Sequence, residues 1–295
     1  MSSTDQSSIT ASTSNISRAA SIANVVIYAL AGVAVFIRLL RVKDNRFAHV
    51  CYLLLALIRI GTFVVRAVVS TLTPSTQPSY TGPVLAATIL LVAGFLLIIE
   101  AIISLTLKWF LLLRAVEVKR RTSFRLHQVS HLLLGGIIAL GVVGAVQQVG
   151  FITHPDTVTP SAWNTAKALR TSSGSLFLGI LGAEICLVGW ISRFMVIKVE
   201  RPVNTRKTGC LLVGLTICCA VEAGYKLWSA ITYDGWVVKE GAVGVMVVLP
   251  EILALILIST VDLSDLGDVR FVWQRRIEQE PVMENFGRSK DVESA

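Results

Sequence analysis

Seven long runs of apolar residues follow one another along the chain, separated by shorter polar connections. Each run reaches the length of about 18 residues at which an apolar segment indicates a membrane-spanning helix. The pattern therefore predicts an all-α membrane protein, a bundle of seven transmembrane helices. The predicted spans are 21–40, 48–70, 84–107, 130–150, 173–196, 209–231 and 241–262.

The third run is longer than the others and extends from Val84 to Leu113. A hydrocarbon core of about 30 Å needs fewer residues than this run contains. We therefore expect this helix to continue past Lys108 and Trp109 into the aqueous side. The organisation that follows is a Ser/Thr-rich tail at residues 1–20, a seven-helix domain at 21–262 and a second tail at 263–295.

Composition agrees with this class. The chain of 295 residues is 54% hydrophobic and 16% charged, and its mean hydropathy is +0.69. Soluble domains carry about 25% charged residues. The chain is therefore expected to be a multi-pass protein of the plasma membrane or an endomembrane.

Basic residues predict the orientation. Lys and Arg are concentrated in the connections after spans one, three and five: Arg41, Lys43, Arg46, Arg114, Lys119, Arg120, Arg121, Arg125, Lys198, Arg201, Arg206 and Lys207. The opposite side contains only Arg18, Lys167, Arg170 and Lys239. The positive-inside rule then places the N-terminus outside and the C-terminus in the cytosol.

The net charge of +8 mostly reflects this topology. The basic clusters are short loops beside the membrane, which favours contact with anionic lipid head groups and does not indicate nucleic-acid binding. In the C-terminal tail, "VRFVWQRRIEQ" has the pattern of an amphipathic helix that lies on the membrane surface.

The triplet Asn15-Ile16-Ser17 is a sequon for N-glycosylation. It falls on the predicted outer side, where such a modification is made, so we expect a glycoprotein. The alternative is a chance triplet in a tail rich in Ser and Thr.

The five cysteines all lie within or at the ends of spans, so no loop pair is available for an extracellular disulfide and we interpret them as packing residues. They are Cys51, Cys186, Cys210, Cys218 and Cys219.

Small residues are frequent in spans four and five. Such residues let helix backbones approach closely in lipid. We expect these two spans to be central, tightly packed helices, with the small residues serving contacts within one bundle rather than a dimer. The residues are Gly135, Gly136, Ala139, Gly141, Gly144, Ala145, Gly174, Gly179, Gly182, Ala183 and Gly189.

Seven charged residues lie inside the spans and at least four residues from either end, although each charge at the centre of a bilayer costs about 3 kcal/mol on insertion scales. They are Arg59, Arg66, Glu100, Glu184, Glu222, Lys226 and Glu251. Their positions along the spans place Arg59, Glu184, Glu222 and Glu251 near the midplane. Arg66 and Lys226 are expected nearer the outer surface, and Glu100 nearer the inner one.

Residues at compatible depths in separate helices predict a buried ionic network. Glu222 and Lys226 can pair within their own helix, and Arg59 can bridge Glu222, Glu251 or Glu184 from another. Such a network has two interpretations. It can fix helix packing, or it can line a site for a ligand, a proton or an ion. We favour the site.

Glu251 is the first candidate for a functional carboxylate. No charged residue lies near it at helical spacing in span seven, so it must pair across helices, hold a proton or face a polar ligand. Pro250, directly before it, is expected to free a backbone carbonyl one turn earlier and to kink the helix.

Three stretches resemble a fungal seven-helix membrane family of unknown function. They are "LLLALIRIGTFVVRAV", "AVEAGYKLWSAI" and "VGVMVVLPEILALILI". Arg59 and Gly61 match that family's span-two motif, and Glu251 matches its span-seven glutamate. In that family, span six has a basic residue followed by an aromatic one. Here the order is reversed, because Tyr225 precedes Lys226, and Glu222 occupies the approximate place of the base. The resemblance implies a fungal integral membrane protein and no particular activity. A looser likeness, in helix number and length, is to fungal lipid-translocating-exporter-like proteins.

Other seven-helix classes lack their signatures here. A retinal protein would need a lysine in span seven, and "GAVGVMVVLPEILALILIST" has none. A rhodopsin-like receptor would show Asp-Arg-Tyr after span three and Asn-Pro in span seven. His127 and His131 have a spacing that could bind metal, but we favour a polar turn beside the membrane. No metal or cofactor is predicted.

The function favoured by the sequence is binding or transport of a small amphipathic molecule, with membrane lipids as further partners. A first alternative is an enzyme like the membrane-embedded fungal terpene cyclases, in which Glu184, Glu222 or Glu251 would donate a proton. A receptor or sensor, or a structural role, is also open. The sequence does not specify the oligomeric state.

Overall fold

The computed structural model describes residues 17–41, 45–72, 78–114, 120–153, 159–194, 205–232 and 240–261. Every regular element in these ranges is a helix. The seven predicted spans are confirmed, because seven helices are long and apolar enough to cross a membrane. The helices are α1 (Arg18–Arg41), α2 (Arg46–Val69), α3 (Pro78–Arg114), α4 (Arg120–Thr153), α5 (Pro160–Phe194), α6 (Thr205–Ile231) and α7, which combines Glu240–Val243, Gly244–Val248 and Leu249–Thr260.

Two helices are longer than the apolar runs that predict them. Helix α3 continues to Arg114, which confirms helix beyond Lys108 and Trp109. Helix α5 begins at Pro160 rather than at residue 173. Its first turns contain few apolar residues, so hydropathy alone misses them. They are helical because they pack on α4, with fully buried Ala166 against Gly144.

Helices that are adjacent in sequence pack side by side, and α7 closes the bundle by packing against α1. Helix α3 lies inside this arrangement and contacts α2, α4, α5 and α6. The prediction that spans four and five are central is therefore wrong for α4. The sequence pattern marks small residues, but it cannot say which face of a helix carries the contacts.

Only some of the predicted small residues mediate close packing. A Cβ on Gly141 would lie 2.7 Å from Ser173 Oγ, and that hydroxyl donates a hydrogen bond to the carbonyl of Ile137 at 2.9 Å. A Cβ on Gly144 would lie 2.8 Å from the Ala166 carbonyl oxygen. Helices α4 and α5 therefore approach each other closely along this one edge.

Other glycines of the same two helices face open space. A Cβ on Gly135, Gly136, Gly179, Gly182 or Gly189 would meet no atom within 4 Å among the described residues beyond its own stretch of helix. Their contribution to packing within the bundle is therefore small.

The exterior of the bundle is apolar and its interior contains charge. Leu132 is 77% exposed and Leu40 is 69% exposed, whereas Arg59 and Glu251 are buried. Water would penalise such a surface, but lipid tails solvate it well. This distribution is that of a multi-pass membrane protein.

Helix α7 contains a π-helical turn at Gly244–Val248. The N–H of Leu249 donates to the carbonyl of Gly244, five residues earlier. Pro250 follows at once and has no N–H of its own, so the regular pattern of hydrogen bonds cannot continue through it. The expected disturbance beside Pro250 is therefore present as a widened turn that leads directly to Glu251.

Several sequence predictions fall on residues outside the described ranges. These are the sequon at Asn15, the interfacial segment 269–277, most of the basic connections and the side chain of His127.

Candidate functional site

Arg59 occupies the middle of α2 and is fully buried. Its Nε donates to both carboxylate oxygens of Glu251, at 2.9 and 2.7 Å. Its Nη2 donates to Glu251 and, at 3.3 Å, to Glu222. Its Nη1 donates to the carbonyls of Leu91 at 2.9 Å and Leu90 at 3.4 Å. All five N–H groups of the guanidinium therefore have acceptors.

Helix α3 makes room for this guanidinium at Gly94. A Cβ at that position would lie 2.8 Å from Arg59 Cζ and 2.9 Å from its Nη1. Real side chains do not come so close, so glycine is the residue that fits. Gly61, the glycine of the span-two motif, has only Leu90 Cδ1 near it, at 3.9 Å. The glycine that the arginine requires is thus on the neighbouring helix, which the sequence pattern does not indicate.

Glu251 also accepts a hydrogen bond from the hydroxyl of Tyr28 in α1. Tyr28 is fully buried, and its ring stacks on Phe63 of α2 with centroids 5.7 Å apart. Of the three options for Glu251, the structure has the pairing across helices. Sequence reasoning missed Tyr28, although a tyrosine inside an otherwise aliphatic part of span one is a signal for a polar partner.

Glu222 and Lys226 form the second half of the site, one helical turn apart on α6. Lys226 Nζ lies 2.8 Å from Glu222 Oε1, the oxygen that also accepts from Arg59. The ammonium lies 3.8 Å from the centroid of the Phe95 ring, a cation–π contact with α3. The other oxygen, Glu222 Oε2, is buried and has no hydrogen-bond partner among the side chains that the structure describes.

We call Tyr28, Arg59, Glu222, Lys226 and Glu251 the ionic cluster. Its members come from α1, α2, α6 and α7, and α3 contributes backbone acceptors and an aromatic ring. Two basic side chains face two acidic ones, so the formal charges of the cluster balance. Balance of this kind lets four charges remain in a low-dielectric interior.

Glu184 does not join the cluster, so the suggestion that Arg59 could bridge it is wrong. The N–H groups of Arg59 are already used by other acceptors. Glu184 lies on α5, with its carboxyl towards Thr106 of α3.

Arg66 and Glu100 also lie apart from the cluster. Arg66 is half-buried and lies seven residues after Arg59 on α2. Its guanidinium lies 6.0 Å from the ring centroid of Phe63. Glu100 accepts from His131 Nδ1 at 2.9 Å, a contact between α3 and α4. The side chain of His131 therefore helps to hold α4 against α3. Four of the seven predicted residues are brought together, and three have other surroundings.

A second polar contact joins α4, α5 and α6. Arg170 donates to the side-chain oxygen of Gln148 and, at 3.4 Å, to the hydroxyl of Ser229. The sequence predicts that Arg170 lies in an outer connection. This prediction is wrong, because α5 begins at Pro160 and Arg170 lies within that helix. Gln148, a polar residue near the end of span four, was the missed signal.

The chemistry of the ionic cluster differs between its halves. Among the described residues, the donors to Glu251 are the guanidinium of Arg59 and the hydroxyl of Tyr28. The described ranges contain no group of three or more His, Cys, Asp or Glu side chains that could hold a metal ion. The cluster therefore has two halves. In the closed half, Arg59 and Glu251, the side-chain donors and acceptors are paired. In the open half, Glu222 and Lys226, the Oε2 atom of Glu222 lacks a partner among the described residues.

The helices and the cluster together define a class: a seven-helix, multi-pass membrane protein with a charge-balanced interior. In comparisons with protein-family models, curated proteins and solved structures, nothing matches this chain.

Proposed function

We propose that this protein binds or transports a small amphipathic molecule, with the ionic cluster as the polar part of the binding site. The observation that carries the proposal is the open half of the cluster. Glu222 is 1% exposed, and its Oε2 has no hydrogen-bond partner in the described part of the chain. A buried carboxylate oxygen without a donor is destabilising, so a molecule that supplies one would bind favourably.

A purely structural ion pair would be expected to resemble the closed half. There, every N–H of Arg59 is used, and both oxygens of Glu251 accept hydrogen bonds. Glu222 and Lys226 differ because Glu222 Oε2 and Lys226 Nζ are buried and make no hydrogen bond within the described part of the chain. An unfilled acceptor beside an unfilled donor favours a ligand site over packing alone.

Proton donation by Glu251, as in a terpene-cyclase-like enzyme, receives less support from the geometry. A general acid must carry a proton in its resting state. Arg59 and Tyr28 both donate to Glu251, so both of its oxygens are already in use as acceptors. Glu251 is better suited to holding Arg59 in place.

The proposal includes the orientation with the N-terminus outside and the C-terminus in the cytosol, and a place in the plasma membrane or an endomembrane. The unequal distribution of Lys and Arg between alternate connections supports this orientation. The resemblance to a fungal membrane family of unknown function is compatible with it and adds no activity.

The test is an untargeted comparison of the lipids and metabolites that copurify with the protein. Wild type, Arg59→Ala and Glu222→Gln would be purified in the same detergent, with Glu184→Gln as the control for loss of a buried carboxyl elsewhere. We expect one compound class to be retained by wild type and Glu184→Gln and depleted in the two cluster variants. Identical profiles for all four proteins, each shown to be folded, would refute a binding role for the cluster.

A further inference from the structure

We infer that the ligand of the ionic cluster is electrically neutral and has a hydroxyl head group, as a long-chain alcohol does. This inference rests on the proposed function and names the chemical class of its ligand. It depends on three observations: the charge balance of the cluster, the unfilled acceptor on Glu222 and the position of Lys226.

The balance of formal charges disfavours a charged head group. Arg59 and Lys226 are matched by Glu222 and Glu251, and all four side chains are in the bundle interior. An anionic or cationic ligand would add one uncompensated charge to a region that solvates charge poorly. A neutral head group leaves the balance unchanged.

Hydrogen bonding selects among neutral head groups. Glu222 Oε2 needs a donor. The ammonium of Lys226 carries three N–H donors; it forms an ion pair with Glu222 Oε1 at 2.8 Å and makes no hydrogen bond to the residues that the structure describes. A hydroxyl can donate to Glu222 and accept from Lys226 at the same time. An ether or an ester could only accept.

The surroundings of Lys226 suit an apolar chain. Its ammonium lies over Phe95, which makes an edge-to-face contact with Phe177 of α5, with ring centroids 5.1 Å apart. A ligand that reached the open half would place its head group at Glu222 and its hydrocarbon among aromatic and aliphatic side chains.

The probes are three amphipaths with the same sixteen-carbon chain: hexadecanol, hexadecanoate and hexadecylammonium. The full-length protein in lipid nanodiscs would be labelled with a photoreactive hexadecanol, and the unlabelled probes would compete. We expect saturable labelling that maps near Glu222, with hexadecanol competing at least about tenfold better than either charged probe.

Two variants change the charge of the cluster in opposite directions. Glu222→Gln leaves one excess positive charge, so preference should shift towards hexadecanoate. Lys226→Met leaves one excess negative charge, so preference should shift towards hexadecylammonium. Glu184→Gln removes a carboxyl outside the cluster and should retain the wild-type order. Size-exclusion chromatography and thermal unfolding would show which proteins are folded, and either cluster variant is sufficient alone.

The outcomes separate this inference from the proposed function. Equal or better competition by a charged probe in wild type would overturn the neutral ligand, while copurification of some other amphipath would still support a binding role. Absence of saturable hexadecanol labelling, or the same shift in Glu184→Gln as in Glu222→Gln, would also overturn it. Failure of the copurification test would remove the proposed function itself.

Discussion

Arg59 makes its hydrogen bonds to three different helices. Its guanidinium is held by the Glu251 carboxylate on α7, by Glu222 on α6 and by two backbone carbonyls of α3. Both charge and geometry are satisfied by one planar group with five donors, which a lysine could not reproduce. At the scale of residues, this side chain links the elements of the interior.

Replacing Arg59 should destabilise the protein. Arg59→Ala would leave Tyr28 as the one donor to Glu251 among the described residues and would leave the cluster with excess negative formal charge. Removal of one partner from a buried ion pair costs about 3–5 kcal/mol, whereas polar pairs within membranes average about 0.6 kcal/mol. We expect a loss between these values, measured as a lower Tm in detergent. Arg66→Ala, on the same helix but half-exposed, should lower Tm less. An unchanged Tm for Arg59→Ala would contradict the cluster.

The glycine beside the guanidinium gives a second residue-scale prediction. In Gly94→Ala the new Cβ would lie 2.8 Å from Arg59 Cζ, and the hydrogen bonds of Arg59 restrict its movement. Overpacking of this kind costs about 1–3 kcal/mol. Gly61→Ala is the matched control, because its nearest neighbour would be 3.9 Å away. Thermal unfolding should show a clear loss for Gly94→Ala only, and equal stabilities would argue against the close approach.

At the scale of elements, helix pairs are held by short polar contacts and close backbone approach. Thr62, Thr88 and Thr216 donate back to carbonyls of their own helices, so these hydroxyls are tolerated among apolar residues. Ser173 instead donates to Ile137 of the neighbouring helix. Lipid provides little hydrophobic drive for helix association, so such contacts decide which faces meet.

The α4–α5 edge can be tested with a pair of glycines. Gly144→Ala would place a Cβ 2.8 Å from the Ala166 carbonyl, a backbone atom that cannot rotate away. We expect a loss of about 1–3 kcal/mol. Gly136→Ala, on the same helix but with no described atom within 4 Å of the new Cβ, should be neutral or slightly stabilising. Differential scanning fluorimetry of both variants would measure the contrast, and a stable Gly144→Ala would place the edge elsewhere.

At the scale of the whole molecule, the bundle has an apolar exterior and a charged interior. Leu30 and Leu132 are exposed, while Glu222 and Glu251 are each 1% exposed. The closing contact between α7 and α1 brings Glu251 to Tyr28, residues near opposite ends of the chain. The ionic cluster is therefore a property of the closed bundle and of no single helix pair.

Topology is the prediction that belongs to this scale. The distribution of Lys and Arg predicts that the C-terminus is cytosolic. A reporter fused after Ala295 should be active in the cytosol, and Asn15 should be glycosylated in a eukaryotic host. Asn15→Gln is the control for the size shift on a gel. An extracellular reporter at Ala295 would reverse the orientation.

The sequence by itself determined the class, the number of helices and the candidates for the interior. Apolar runs of membrane length leave few alternatives to spanning helices, because every backbone polar group in lipid must be satisfied within the segment. Charged side chains inside those runs mark the interior, because lipid tails solvate charge poorly. Arg59, Glu222, Lys226 and Glu251 are examples. The start of α5 was missed because hydropathy does not detect helical turns that are stabilised by packing.

Only the tertiary structure decided which candidates meet. Depth along a span gives one coordinate, so Glu184 and Glu251 appeared equivalent as partners for Arg59. The remaining coordinates of each side chain depend on how its helix is rotated about its axis and on which helices lie next to it. They bring Glu251, Tyr28 and Gly94 to the guanidinium and take Glu184 away, because side-chain direction and helix order depend on contacts between segments far apart in sequence.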